Sequence, residues 1–194
     1  MDLSSFLTHE TIKKINSWEE QFNVKVIITK PSQSRLGVFI PKRFENHVIR
    51  INNNMNEYAF LITLIHEMAH ASIWEKYGRK VTPHGIEWKK EFQKMMLPFL
   101  NPNFFPEKIL KPLSFHMINP KSSTIRDVEL SKIINTFDNK DIVFISDLKD
   151  GDEFRIRNGK KFRRIEKLRK NYKCIEVNTS KLYRFSPLAE VKPL

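Results

Sequence analysis

No stretch of this 194-residue chain constrains its fold more than residues 61–88, where His66-Glu67-Met68-Ala69-His70 lies in an apolar run and Pro83-His84-Gly85 follows. On an α-helix, side chains four residues apart sit one turn above another, so His66 and His70 share a face while Glu67 projects beside them. The surrounding Phe60, Leu61, Leu64, Ile65, Met68, Ala69, Ile73 and Trp74 leave such a helix almost no polar side. It is therefore expected to be central and buried, with its histidine face opening on a cleft. Two imidazoles and a carboxylate are costly to bury unless something pairs with them, and a divalent metal does so. A pattern with three defined positions also arises by chance in unrelated helices, but not readily in one this apolar.

A catalytic zinc takes three protein ligands and keeps a fourth position for water, whose pKa falls to about 7; a nearby carboxylate then takes the proton as that water attacks a carbonyl. In this chain His66 and His70 would be two ligands and Glu67 the base. For the third, the following segment offers His84, Glu87 and Glu91. His84, beside the rigid Pro83, is the best placed, and the two carboxylates stay open as alternatives. The longer H-E-x-x-H-x-x-G-x-x-H pattern is excluded, because Ile73 and Lys76 stand where it needs Gly and His. His9, His47 and His116 have no partner pattern and are expected in packing or at the surface.

Around this centre the periodicities predict an α+β fold. Residues 8–20 place Ile12, Ile15 and Trp18 at helical spacing, and the β-branched run 23–29 predicts a strand, followed by strands at 36–40 and 47–52. Asn54, with Glu57 three residues on, is the expected N-cap of the long helix, which ends at Tyr77 with Gly78 as its stop. Thr82 is the expected N-cap of the next helix, putting Pro83 at its first position and His84 in its first turn. Pro98, Pro102, Pro106, Pro112 and Pro120 argue against any long helix and predict an extended strap. A short helix resumes after Asp127 with Leu130, Ile133, Ile134 and Phe137 on one face. From 142 onward the pattern is of short strands, with Asn158-Gly159 as a hairpin turn. The expected domains are 1–97, helices on a small sheet; 98–126, a proline-rich strap; and 127–194, the short helix plus a small SH3-like or OB-like barrel.

Charge adds a second theme. Formal net charge is +12, an excess that draws a surface toward polyanions. Residues 155–173 hold ten Lys or Arg against the single acid Glu166. Arg155, Arg157, Lys160, Lys161, Arg163, Arg164, Lys167, Arg169 and Lys170 are the candidate nucleic-acid contacts, since several such cations together give sequence-independent affinity for phosphates. Phe162 and Tyr172 could stack on unpaired bases or pack inward. Strand alternation puts Phe162 on the face opposite Lys161 and Arg163. The one cysteine, Cys174, excludes an intrachain disulfide and a Cys-rich zinc ribbon, fits a reducing compartment, and reads as a half-buried strand residue. Residues 1–10 show no basic region leading into an apolar one, and the apolar run around 59–65 is too short to span a bilayer. A cytoplasmic monomer, free or associated with the nucleoid and with no membrane partner, is expected.

The stretches LIHEMAHASIWEKYG (64–78) and TPHGIEWKKEF (82–92) resemble the SprT-like metalloprotease family, which includes the eukaryotic Spartan proteases: H-E-M-x-H on one helix, then a turn carrying H-G-x-x-[WF]. The resemblance is specific over about residues 49–92. It implies a zincin-like fold for residues 1–97, zinc on His66, His70 and His84, Glu67 as general base, and proteolysis of DNA-bound or DNA-crosslinked proteins. Many members end in a four-cysteine zinc ribbon, which one cysteine cannot build. The ending YKCIEVNTSKLYRFSPLAEV (172–191) is similar to that of the short ribbonless bacterial members.

Two functions from different classes follow. In one, the chain is a zinc-dependent endopeptidase held on nucleic acid by its basic tail, with the protein substrate extended along strand 47–52 and adding to the sheet edge. In the other, it is a nucleic-acid-binding protein whose zinc is structural and non-catalytic.

Overall fold

Thr8 caps the first helix by accepting the Thr11 N–H on its hydroxyl, and α1 (His9–Gln21) buries Ile15. The computed structural model describes residues 2–32, 35–123, 127–138 and 142–194. After α1 come β1 (Val24–Thr29), β2 (Gly37–Ile40) and β3 (His47–Asn52), close to their sequence expectations. The order is β1-β3-β2: β3 is the middle strand, parallel to β1 and antiparallel to β2. β2 is left as an edge.

α2 (Glu57–Tyr77) packs on β2 and β3, and every residue from Phe60 to Ala69 is buried. Its N-cap is Asn56, two residues beyond the expected Asn54, because the Asn56 side chain does two jobs. Its Oδ1 accepts the Ala59 N–H at 3.0 Å, while its Nδ2 donates to the Ile134 carbonyl and to Asp138 Oδ1, both at 2.9 Å. Gly78 ends the helix as expected, at φ 57°, where a side chain would be strained.

α3 (Ile86–Met96) packs against α2 and buries Trp88, Phe92, Met95 and Met96. The proline-rich region is not an extended strap. It contains α4 (Glu107–Ile118), with Pro106 as N-cap and Pro112 inside the helix. An interior proline costs about 3 kcal/mol, but α4 fully buries Ile109 and Leu113 and nearly so Met117. At about 1.5–3 kcal/mol for each such side chain, burial outweighs the proline. α5 (Val128–Asn135) is capped by Asp127, which accepts the Leu130 N–H. Leu130 and Ile134 belong to the same core as α2 and β3, so the short helix, expected to open the C-terminal domain, is built into the first unit.

The chain divides into two units, Met1–Asp138 and Asn139–Leu194. The second holds β4 (Val143–Phe144), β5 (Glu153–Arg155), β6 (Lys161–Lys167), β7 (Tyr172–Glu176), β8 (Leu182–Phe185) and β9 (Glu190–Pro193). They form one antiparallel sheet in the order β4-β9-β5-β6-β7-β8. Among the described residues no closed SH3-like or OB-like barrel is found; β4 and β8 are the two ends. Phe154, Phe162, Tyr172, Cys174 and Val191 make its core with Ile145 and Leu148. Cys174 is fully buried rather than half-buried, and burial pushes its thiol up to about 11. Among the described residues no helix is long and apolar enough to cross a membrane.

Arg164 lies inside this unit. Its guanidinium meets Asp150 Oδ1 at 2.8 Å, the carbonyls of Ile145 and Leu148, and the face of Tyr172. Arg164→Met should strand those carbonyls and lower the unit's stability by about 3 kcal/mol. Faster amide exchange throughout β6 and β7 would register the loss; unchanged protection would refute it.

Candidate metal centre

α2 holds His66 and His70 one turn apart, as their spacing requires, and His84 reaches them from a turn and not from a helix. The helix expected from Thr82 begins at Ile86, with Gly85 as its N-cap. Residues 82–85 form a β-turn closed by the Gly85 N–H donating to the Thr82 carbonyl at 2.9 Å. Pro83 sits at its second position and His84, at φ 60°, at its third, the pattern of a type II turn. A left-handed backbone is uncommon for histidine and costs on the order of 1 kcal/mol or more, which local structure must impose. Its effect is to bring the His84 ring over α2.

The three imidazoles converge by their Nε2 atoms. His84 Nε2 lies 3.0 Å from His70 Nε2 and 3.3 Å from His66 Nε2. Tetrahedral ligands at zinc-like bond lengths of about 2.0–2.1 Å stand roughly 3.3 Å apart, so the donor set fits one such ion. Among the described residues, His66, His70 and His84 are the cluster that could hold a metal. Burial above all, then the neighbouring rings of His70, His84 and His116, hold His66 well below the usual imidazole range. Burial and His84 push His70 down to about 3. Neutral rings with free lone pairs are what a metal needs.

Trp88 forms the floor of the site. It is 1% exposed, and its ring centroid lies 4.5 Å from that of His66, 5.2 Å from His70 and 4.7 Å from His84. Glu91, weighed as a ligand, is engaged elsewhere: it accepts from Ser72 Oγ and Lys76 Nζ, each at 2.7 Å, and ties α3 to α2. Glu87 stands outside the cluster. His47 is buried and bridges, its Nδ1 accepting the Lys42 N–H at 2.9 Å and its Nε2 3.0 Å from Glu75. His116 is buried against Asp127 at 3.0 Å.

Glu67 lies between α2 and β2. Burial pushes its carboxyl up to about 7, opposed by the Phe39 N–H that donates to it and by the charge of Arg35. That N–H shows which way β2 faces. Asn52 donates to the Leu36 carbonyl, so Leu36, Val38 and Ile40 pair with β3, and the backbone groups of Gly37 and Phe39 point to the open edge. The middle strand β3, expected to dock a peptide, is paired on both sides, and among the described residues β2 is the edge strand beside the site.

Gly37 was not singled out from the sequence, although a lone glycine in a strand marks a close approach. A Cβ there would lie 2.8 Å from Thr63 Cγ2, 2.9 Å from Ile51 Cδ1 and 3.0 Å from Glu67 Cγ. Gly37→Ala should therefore displace Glu67 and cost about 1–3 kcal/mol. A thermal unfolding midpoint equal to that of the wild type would refute the tight fit.

A cleft of about 540 Å³ opens over the cluster between β2, α2 and residues 78–84. In the second unit, the candidate nucleic-acid residues separate. Arg155, Arg157, Lys161, Lys167, Arg169 and Lys170 are exposed. Arg163 pairs with Glu153 at 2.7 Å, Lys160 with Glu176 at 3.0 Å, and Arg164 is buried. Phe162 and Tyr172 are 1% and 6% exposed, so both pack and neither is available to stack on a base.

Comparison with known proteins points the same way as the geometry. The SprT-like family model matches residues 4–105. Two curated relatives named Protein SprT, from Enterobacter sp. (strain 638) and Cronobacter sakazakii (strain ATCC BAA-894), are each 43% identical over 49 residues. That stretch is 23% of this chain and 29% of each relative, so less than a third of their length is matched. No solved structure matches the chain.

Proposed function

The chain belongs to the SprT-like family, and from that premise we propose that it is a zinc-dependent endopeptidase acting on proteins associated with nucleic acid. The observation that carries the reading is the convergence of three imidazoles next to a buried carboxylate, beneath a cleft. His66, His70 and His84 would hold the ion. Zinc bound there would lower the pKa of a water to about 7 and polarise a carbonyl.

The remaining steps belong to this chain's residues. Glu67 accepts the proton of the attacking water and delivers it to the departing amine. The Phe39 N–H keeps the Glu67 carboxylate oriented. An extended substrate pairs with the outward-facing backbone groups of β2 other than the Phe39 N–H that Glu67 engages. Among the described residues the donor cluster comprises three histidines, the ligand number of a catalytic zinc rather than of a four-ligand structural one, which favours the catalytic reading.

The nucleic-acid part rests on the exposed cations of the second unit. Six of them (Arg155, Arg157, Lys161, Lys167, Arg169 and Lys170) remain exposed once the buried and ion-paired ones are set aside.

Purified protein should carry one zinc per chain, lose proteolysis of a DNA-bound protein on chelation, and regain it with added zinc. Zinc-loaded protein that leaves that substrate intact would refute the peptidase. Binding of a DNA oligonucleotide should weaken with salt by a log–log slope of about 0.9 per phosphate neutralised. Salt-independent binding would remove the nucleic-acid part alone.

A further inference from the structure

The cleft extends past the histidines, and its far part has a different chemistry. Beyond His70, Ile73 and Trp74 lie on the next turn of α2, Phe39 and Pro41 face them from β2 and the residue after it, and Val81 closes the other side. The Phe39 and Trp74 rings stand 6.3 Å apart. Arg79 holds its guanidinium 5.9 Å from the Trp74 ring, and Arg35 also lines the cleft. Both arginine side chains are exposed. Glu67 is the one acid among the described residues that line the cleft, and it lies buried at the reacting end.

We infer that this part of the cleft is a specificity site that selects an extended peptide segment bearing a bulky apolar side chain flanked by carboxylates. The inference rests on the peptidase reading and deepens it by naming the substrate class. Four residues separate His70 from Trp74, about 6 Å along the helix, which is roughly two residues of an extended chain. A substrate strand on β2 thus places a side chain between Phe39, Trp74 and Val81 within two residues of the carbonyl at the histidines. Apolar walls reward a large apolar group there. The arginines at the rim attract carboxylates on its neighbours and repel lysine and arginine. Lys- and Arg-rich segments, through which proteins hold nucleic acid, are therefore poor substrates, and cleavage falls outside them.

The test separates binding from chemistry. Fluorescein-labelled peptides of one Ser/Ala background, with Glu-Phe-Glu, Lys-Phe-Lys or Glu-Ala-Glu at the centre, are titrated into the full-length, zinc-loaded Glu67→Gln variant and followed by anisotropy. The Glu-Phe-Glu peptide should bind about tenfold or more tightly than Glu-Ala-Glu, the factor expected for burying an aromatic side chain. It should also bind more tightly than Lys-Phe-Lys, and Arg79→Glu, a change at an exposed position, should reverse that second preference. Equal affinities, no measurable binding, or an order unmoved by Arg79→Glu would overturn the inference. Cleavage of the same peptides by wild-type protein is read separately. Binding in the expected order without cleavage rejects the peptidase and keeps the selective cleft; cleavage indifferent to composition does the reverse.

Discussion

Glu67→Gln is expected to leave zinc content unchanged and to lower peptide hydrolysis by about a thousandfold, within the usual range for loss of a general base. Glutamine keeps the shape of the side chain but cannot accept the proton, and Glu67 is not one of the three converging ligands. Activity and zinc content measured on the same preparation separate a lost base from a lost metal. Hydrolysis within a fewfold of wild type would refute Glu67 as the base.

The same substitution should stabilise the metal-free protein at neutral pH. Burial raises the Glu67 carboxyl from 4.5 to about 7, so the folded state holds the proton more tightly than the unfolded state. In that case stability falls as pH rises from about 4.5 to about 7 and levels off above that. The full difference is on the order of 3 kcal/mol. Glutamine has no such slope. Metal-free Glu67→Gln should therefore unfold at higher temperature than metal-free wild type at pH 8, with the gap closing toward pH 4.5. A gap that is constant with pH would show that the charge of Glu67 is not its source.

His84→Ala should remove zinc binding and activity while leaving the fold intact. The residue lies in a half-buried turn, so the packing lost is small, but one of three ligands disappears. Even partners one step removed from a metal change affinity by about 10–100-fold, and loss of a direct ligand should exceed that. Because His84 sits at φ 60°, His84→Gly serves as the control. Glycine adopts that backbone freely, so any stability it gains reports strain and its zinc loss reports ligation. Full zinc occupancy in either variant would return Glu87 or Glu91 to consideration.

The elements most legible in the sequence are those set by local spacing. The His66–His70 pair, the helix end at Gly78 and the strands at 24–29 and 47–52 depend on residues close along the chain, and each lies where the periodicity puts it. α4 is not legible locally, because its prolines signal a helix break and the burial of Ile109, Leu113 and Met117 that offsets it comes from distant segments. For Arg164 the local signal exists: the alternation that turns Phe162 inward turns Arg164 inward with it, away from Arg163. Only the partners waiting there, Asp150 and two carbonyls, explain why a charge can stay inside.

By itself, the sequence determined the His66–His70 pair, the helix that spaces it and the carboxylate proposed as the base, because a period of 3.6 residues is a property of the helix alone. Tertiary structure decided which imidazole joins that pair, the strand that borders the site, and which cations of the second unit are exposed. His84 joins His70 across 14 residues through a left-handed turn. β2 is the edge because β3 pairs on both sides. The accessible charge of the second unit depends on which arginines find acids or carbonyls across the sheet. Each of these depends on contacts between distant segments, which no local period encodes.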